Sequence, residues 1–358
     1  MIVDSGGSLD LNGQIIAAIH QLILYGTGSS GSGALTNSNT TNGATWNGPV
    51  ALGSATTVDG PGSITITGSI GGPGSLTKTN TGMLILSGTN TYTGGTLIDG
   101  GILTINADSG LGGYPTPAAT NITFDGGTGG TLRTGGTMTL NANRGVLLTA
   151  IAIFDTQSYI LTIPGVMSGT GGLTKAGTGS LVLSGANISY SGNVTVSGGT
   201  LDLGNDMALG SSTTLTIANG ATVKEDATVM QVTNLTMGGT AKLDLNKHDL
   251  IWHGADIDAV RGLLSSGYNG GGWNAASGIT TSSCDTNYGY GVMLGSIWQA
   301  LYSGQQFDGV TVSSTDILLK YTWKGDTTLK GTVDAMDFAQ IDAAYLKGIY
   351  ASGGARWL

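Results

Sequence analysis

Residues 72–103 read "GPGSLTKTNTGMLILSGTNTYTGGTLIDGGIL", and residues 169–201 read "GTGGLTKAGTGSLVLSGANISYSGNVTVSGGTL". Aligned, Leu76 pairs with Leu173, Lys78 with Lys175, Gly82 with Gly179, Leu84 with Leu181, Leu86 with Leu183, Gly88 with Gly185 and Asn90 with Asn187. After one inserted residue, Gly100-Gly101 falls on Gly198-Gly199. A third fragment, "SGGSLDL" at residues 5–11, repeats "SGGTLDL" at residues 197–203. A long internal period of this kind is the first thing a fold must explain.

Inside each copy, apolar and polar residues alternate with period two. "SITITG" from Ser63, "MLILSG" from Met83, "GILTIN" from Gly101 and "TLTIAN" from Thr214 put Ile64 and Ile66, Leu84 and Leu86, Leu103 and Ile105, and Leu215 and Ile217 on one side, with the residue between each pair on the other. That is the pattern of a strand with one buried face. Each burst ends in Gly-Gly, Gly-Thr-Gly or Asn-Gly, which supply positive φ in tight turns. A sandwich or closed barrel has no reason to restate one unit with its turns in register, whereas a solenoid grows by stacking such units. The fold expected is therefore all-β: a right-handed parallel β-helix over residues 1–250, with coils of about 20 residues. Asn90 and Asn187 fall at its turns, where an amide bonds the local backbone or stacks in a ladder. The repeated Lys78 and Lys175 are expected at solvated positions on successive coils.

The pattern changes after Leu250. "DIDAVRGLLSSG" from Asp256 places Ile257, Val260 and Leu264 at helical spacing behind an aspartate that caps. The strands "GVTVSS" and "ILLKYTW" follow, and "DAMDFAQIDAAYLKG" from Asp334 sets Phe338, Ile341 and Tyr345 on one helical face. Residues 251–322 are assigned to a mixed α/β cap and 323–358 to a loop-helix segment.

Composition excludes several functions. Only 13 Lys and Arg stand against 22 Asp and Glu, giving a formal net charge of -9, so no basic stripe exists to neutralise nucleic-acid phosphates. The lone Cys284 cannot form an intrachain disulfide. "IIAAIHQLILY" from Ile15 is too short to span a bilayer and lacks the basic flank of a signal peptide, so an export signal is expected outside this chain.

The repeated stretches resemble the autotransporter-associated β-strand repeat of large bacterial surface proteins, and "GGLTKAGTGSLVLSGAN" from Gly171 follows its core closely. The resemblance covers residues 1 to about 245 and implies an exported passenger rod at the cell surface. "LLSSGYNGGGWNAASGITTS" and "LKYTWKGDTTLKGTVDAMDFAQIDAAY" are similar to the C-terminal region of very large planctomycete-type surface proteins, which ends in a dockerin-like calcium module. That resemblance implies calcium-loop positions 1, 3, 5, 6, 9 and 12 for Asp326, Thr328, Lys330, Gly331, Asp334 and Asp337, with Asp326, Thr328, Asp334 and Asp337 as the metal residues. Lys330 puts a cation where a carboxylate belongs, and the alternative is a retained loop-helix shape without the ion. Residue 1 lies inside a repeat ending and Leu358 where a second loop would begin, so the chain reads as part of a longer polypeptide.

Catalysis on such a scaffold needs clustered or paired carboxylates. Here Asp59, Asp99, Asp108, Asp125, Asp155, Asp202, Asp206, Glu225 and Asp226 are scattered, expected as solvated charge, and Glu225 and Asp226 point to opposite faces of a strand. His248 and His253 match neither metal-binding spacing. No catalytic residue and no organic cofactor is assigned. The sequence points first to a non-enzymatic extracellular structural rod that self-assembles into a homo-oligomer, fibre or surface layer. The alternative is an adhesin binding glycan or another cell, through aromatics among Tyr268, Trp273, Tyr288, Tyr290 and Trp298, with Trp273 and Tyr268 as the glycan contacts. A polysaccharide-active enzyme ranks third.

Overall fold

A computed structural model describes residues 1–17, 20–126, 129–185, 188–204, 209, 214–226 and 229–346. Asn187, Asp206, the side chains of Ile341 and Tyr345, and residues 347–358 lie outside the described residues. The chain forms two compact units, Met1–Gly199 and Thr200–Leu358.

The first unit is a parallel β-solenoid. One wall runs through Ala44–Trp46, Ile64–Ile66, Met83–Leu86, Ile102–Ile105, Gly130–Thr134, Ala152–Asp155, Leu173–Ala176 and Val194–Val196, each strand parallel to the next. Its inward column is Ala44, Ile64, Leu84, Leu103, Leu132, Phe154, Lys175 and Val196, all buried. A second wall stacks Val58, Lys78, Ile98, Phe124, Leu148, Gly169 and Tyr190 in register. Phe124 and Phe154 meet from the two walls, with ring centroids 5.1 Å apart. A third wall begins at Met138–Thr139 and continues through Ile160–Ile163 and Ser180–Leu183.

The two sequence copies do not occupy the same walls. Leu76–Lys78 lies in the wall of Val58 and Ile98, whereas its counterpart Leu173–Ala176 lies in the wall of Phe154 and Val196. The coil holding residues 106–118 is longer than its neighbours, and the interval between the copies is not a whole number of coils: four coils carry Lys78 in register to Gly169, and Lys175 lies beyond it, in the next wall. The second copy is thus rotated by one wall, and the same motif serves two different faces.

Both repeated lysines overturn the expectation of solvated positions. In "LTK" the alternation places Lys78 on the face of Leu76, and Lys78 and Lys175 are 2% and 0% exposed. Lys175 Nζ donates to the carbonyls of Ala176 (2.9 Å), Gly177 (2.9 Å) and Gly198 (3.1 Å). Lys78 Nζ donates to the carbonyls of Thr79 and Asn80. Each ammonium closes the corner that follows its own strand, so the stem fills the core while the charge meets backbone acceptors. Burial lowers both lysines to about 8, partly offset by Asp59 for Lys78 and by Asp155 for Lys175.

Asn90 links three coils: its Oδ1 accepts from Ile70 N (2.8 Å) and its Nδ2 donates to Gly110 O (2.7 Å). Corners demand glycine for closeness. A Cβ at Gly88 would lie 2.4 Å from Gly68 O, the carbonyl one coil below. The longer coil is tied down by Arg144, which is 1% exposed. Its guanidinium donates to both carboxylate oxygens of Asp108 (2.7 and 3.2 Å), to Asn121 Oδ1 and to the carbonyls of Asp108, Leu111, Gly112 and Gly113.

In the second unit, Thr200–Leu203, Thr222–Glu225, Lys242–Asp244 and Gly278–Thr280 again stack in parallel, with Leu201, Val223, Leu243 and Ile279 as the buried column. Glu225 is buried and Asp226 exposed, on opposite sides as expected, but Glu225 is not the solvated charge expected of it. The pairing changes sense at Asp249–His253, parallel to Val229–Val232 on one side and antiparallel to Asp316–Trp323 on the other; Tyr288–Leu294 completes that sheet. Helix Ile257–Tyr268 starts at the expected cap, with Asp256 accepting from Asp258 N, and buries Val260 and Leu264. It approaches its strand through Gly267, where a Cβ would lie 1.7 Å from Ile279 O.

Residues 309–314 do not form the expected strand. Gln299 Nε2 bonds the Val312 carbonyl (2.8 Å) and Asp316 bonds Ser313 N (2.7 Å), so side chains take the bonds a neighbouring strand would need. Helix Ala335–Leu346 is present, but Phe338 is 60% exposed rather than turned into a core.

Candidate functional site

The second unit holds an aromatic face and an acidic loop, joined through the strand Asp316–Trp323. In the antiparallel pair, Tyr288 lies opposite Trp323 and Tyr290 opposite Tyr321, so alternation puts all four rings on one side of the sheet. Tyr288 and Trp323 have centroids 4.4 Å apart, and Tyr288 and Tyr321 stack at 5.5 Å with their planes 15° apart. Tyr321 meets Tyr290 edge-on at 5.5 Å, Tyr290 meets Trp273 at 5.4 Å, and Trp273 meets Tyr268 at 5.4 Å. Six rings thus form one continuous row.

Exposure divides that row. Trp273 is 0% and Tyr290 3% exposed, Tyr268 is half-buried, and Trp323 is 41% exposed at the far end. The expected glycan contact Trp273 is therefore a foundation: it is enclosed by Tyr268 and Tyr290, and its ring offers no face to a ligand. Trp298, also named from the sequence, is buried against Phe307 and Tyr302. Trp323 was missed because "ILLKYTW" reads as a buried strand; its one outward terminal ring becomes visible only when the pairing with Tyr288 is known.

The Tyr321 hydroxyl accepts from Asp285 N (3.0 Å) and donates to Ser283 O (3.3 Å), which pins the ring against residues 282–287. Lys324 Nζ donates to Thr286 O (2.7 Å) from the other side of that loop. Below the face, Lys320 Nζ donates to Asp249 Oδ2 (2.8 Å) and to both oxygens of Asp308 (2.9 Å). Burial pushes the Asp249 carboxyl up, and Asp308 adds to this while Lys320 opposes it. An ammonium between the two carboxylates, with Asp249 7% exposed, leaves no solvent-facing acid pair there for glycoside chemistry.

The acidic loop keeps its turn and fills its own centre. Asp326, Thr328 and Asp337 are each 0% exposed. Asp326 Oδ1 accepts from Lys330 N (3.1 Å), and its Oδ2 accepts from Thr322 Oγ1 (2.5 Å) and Gly331 N (2.7 Å). Asp337 Oδ1 accepts from Thr328 N (2.9 Å) and Thr327 Oγ1 (3.1 Å), and its Oδ2 from Asp334 N (2.8 Å). The Thr328 hydroxyl lies between the two acids, 3.2 Å from Asp326 Oδ1 and 3.0 Å from Asp337 Oδ1. Asp334 pairs with Lys330 and accepts from Met336 N (2.8 Å), so it starts the helix. Burial raises the Asp337 carboxyl, but the N–H groups of Asp334 and Thr328 and the neighbouring hydroxyls outweigh it, and the net shift is downward.

These residues do not fit a calcium ion. Calcium takes about six to eight oxygens, several of them carboxylate. Here two carboxylates face one hydroxyl, the third acid is held by an ammonium, and protein donors occupy the oxygens an ion would use. Among the described residues no group of three or more His, Cys, Asp or Glu is placed to hold a metal ion. His253 Nδ1 instead lies 2.9 Å from Asp316 Oδ1.

Residues 76–105 and 173–203 match the family model described as passenger-associated-transport-repeat. Over 112 residues, 31% of this chain, the sequence is 37% identical to the adhesin BmaC autotransporter of Brucella suis biovar 1 (strain 1330). That stretch spans 3% of the adhesin's length. No solved structure matches the chain. Among the described residues no helix is long and apolar enough to cross a membrane.

Proposed function

We propose that the chain is a non-catalytic segment of an exported cell-surface passenger, in which stacked repeats hold a binding surface away from the cell for adhesion. The observation that carries this reading is the use of the repeat residues themselves. Leu84, Leu103, Phe154 and Lys175 fill the coil interior, and the repeated lysines and Asn90 bond backbone. What the sequence repeats is scaffold, and a scaffold with a filled interior acts through its outer surface.

The similarity to an adhesin passenger supports binding to a cell-surface partner over assembly into a filament. The test is adhesion of beads coated with the purified chain to epithelial monolayers. Retention well above that of beads carrying an unrelated β-protein is expected; equal retention would remove the adhesive reading.

A further inference from the structure

We infer that the exposed ring of Trp323, backed by the packed rings of Tyr288 and Tyr321, forms a stacking platform for a pyranose ring of a neutral cell-surface glycan. The inference deepens the adhesive reading and rests on it. Its geometric basis is the graded row of rings, buried at Trp273 and Tyr290 and open at Trp323. The buried half holds the open half in place: Tyr290 supports Tyr321 edge-on, and the Tyr321 hydroxyl is tied to Asp285 N and Ser283 O. Tyr288 and Tyr321 are half-buried and Trp323 packs on Tyr288, so the open Trp323 ring loses little freedom when a ligand arrives, which is what makes an aromatic contact effective.

Chemistry selects the occupant. A pyranose with equatorial hydroxyls presents axial C–H bonds on its faces and hydroxyls around its rim. The C–H face suits the negative face of an indole or phenol ring. The hydroxyl rim needs donors and acceptors beside the platform, and Asp285, Asn287 and Lys324 are exposed there with both signs of charge. An apolar protein partner would desolvate those groups without offering them further hydrogen bonds. A polyanionic glycan is disfavoured by the chain's formal net charge of -9.

The experiment titrates cellohexaose, chitohexaose and maltohexaose into the whole chain, reading tryptophan fluorescence and heat. Saturable binding of at least one is expected. Trp323→Ala and Tyr288→Ala each weaken it about tenfold or more, and Trp323→Phe keeps most of it. Circular dichroism and thermal melting run alongside, and Trp298→Phe, away from the face, serves as a matched aromatic control. No binding of any probe, or binding unchanged in folded Trp323→Ala, overturns the platform. The bead assay separates the two readings. Adhesion equal for wild type and Trp323→Ala keeps the adhesive function and removes this site, whereas no adhesion by the wild type removes the function itself. Adhesion lost in Trp323→Ala without binding of any probe points to a protein partner and also overturns the inference.

Discussion

At the scale of the residue, the chain repeatedly turns polar side chains inward and satisfies them with backbone. Lys175 is the plainest case, with three carbonyls around one ammonium. Lys175→Met preserves the stem's volume and removes the donor, so a loss of about 1–3 kcal/mol is expected from urea midpoints. The pH dependence has a definite sign. The folded Lys175 sits at about 8, below its ordinary 10.5, so its contribution is full above the unfolded value and lost as pH falls through the folded one. The stability difference between wild type and Lys175→Met should grow as pH rises from about 8 towards 10.5. Arg144 is the costlier position, because it is fully buried and its removal leaves Asp108 and several loop carbonyls without their donor. Arg144→Met should destabilise by about 3 kcal/mol or more, with protease cleavage appearing first within residues 106–118. A difference that shrinks with pH, or an unaltered cleavage pattern, would count against these assignments.

At the scale of the element, the loop at Asp326 behaves as a hydrogen-bonded turn with a hydroxyl at its centre. Neither calcium nor a chelator should move the thermal midpoint, while Thr328→Val, of nearly equal volume, should lower it by leaving Asp326 and Asp337 facing each other. A rise in midpoint with calcium would restore the metal. Helix Ile257–Tyr268 depends on a different close approach, and Gly267→Ala should push it off Ile279 and cost about 1–3 kcal/mol. Both elements are legible as shapes in the sequence, since Asp256 caps one helix and the apolar spacing after Asp334 marks the other. Their interiors were not, because what lies 3 Å from Thr328 is set by a fold-back of the chain that no local spacing records.

At the scale of the whole molecule, the repeat motif encodes a corner rather than a wall. Replacing residues 76–105 by residues 173–203 should therefore leave a cooperative β-fold, since each copy already works on a different face. Loss of the β circular-dichroism signal in that exchange would show that the copies are adapted to their walls. The alternating bursts, their glycine corners and the repeat pointed by themselves to stacked coils with the Ile, Leu and Val of each burst inside, because period-two alternation is a local property, whereas the burial of Lys78, Lys175 and Glu225 had to come from the structure. Trp323 and Trp273 mark the limit of that reading: both are tryptophans in aromatic stretches of the tail. Which one is buried and which exposed was decided only by tertiary structure, through the antiparallel pairing of Tyr288–Leu294 with Asp316–Trp323 that encloses one ring and leaves the other at the open end of the row.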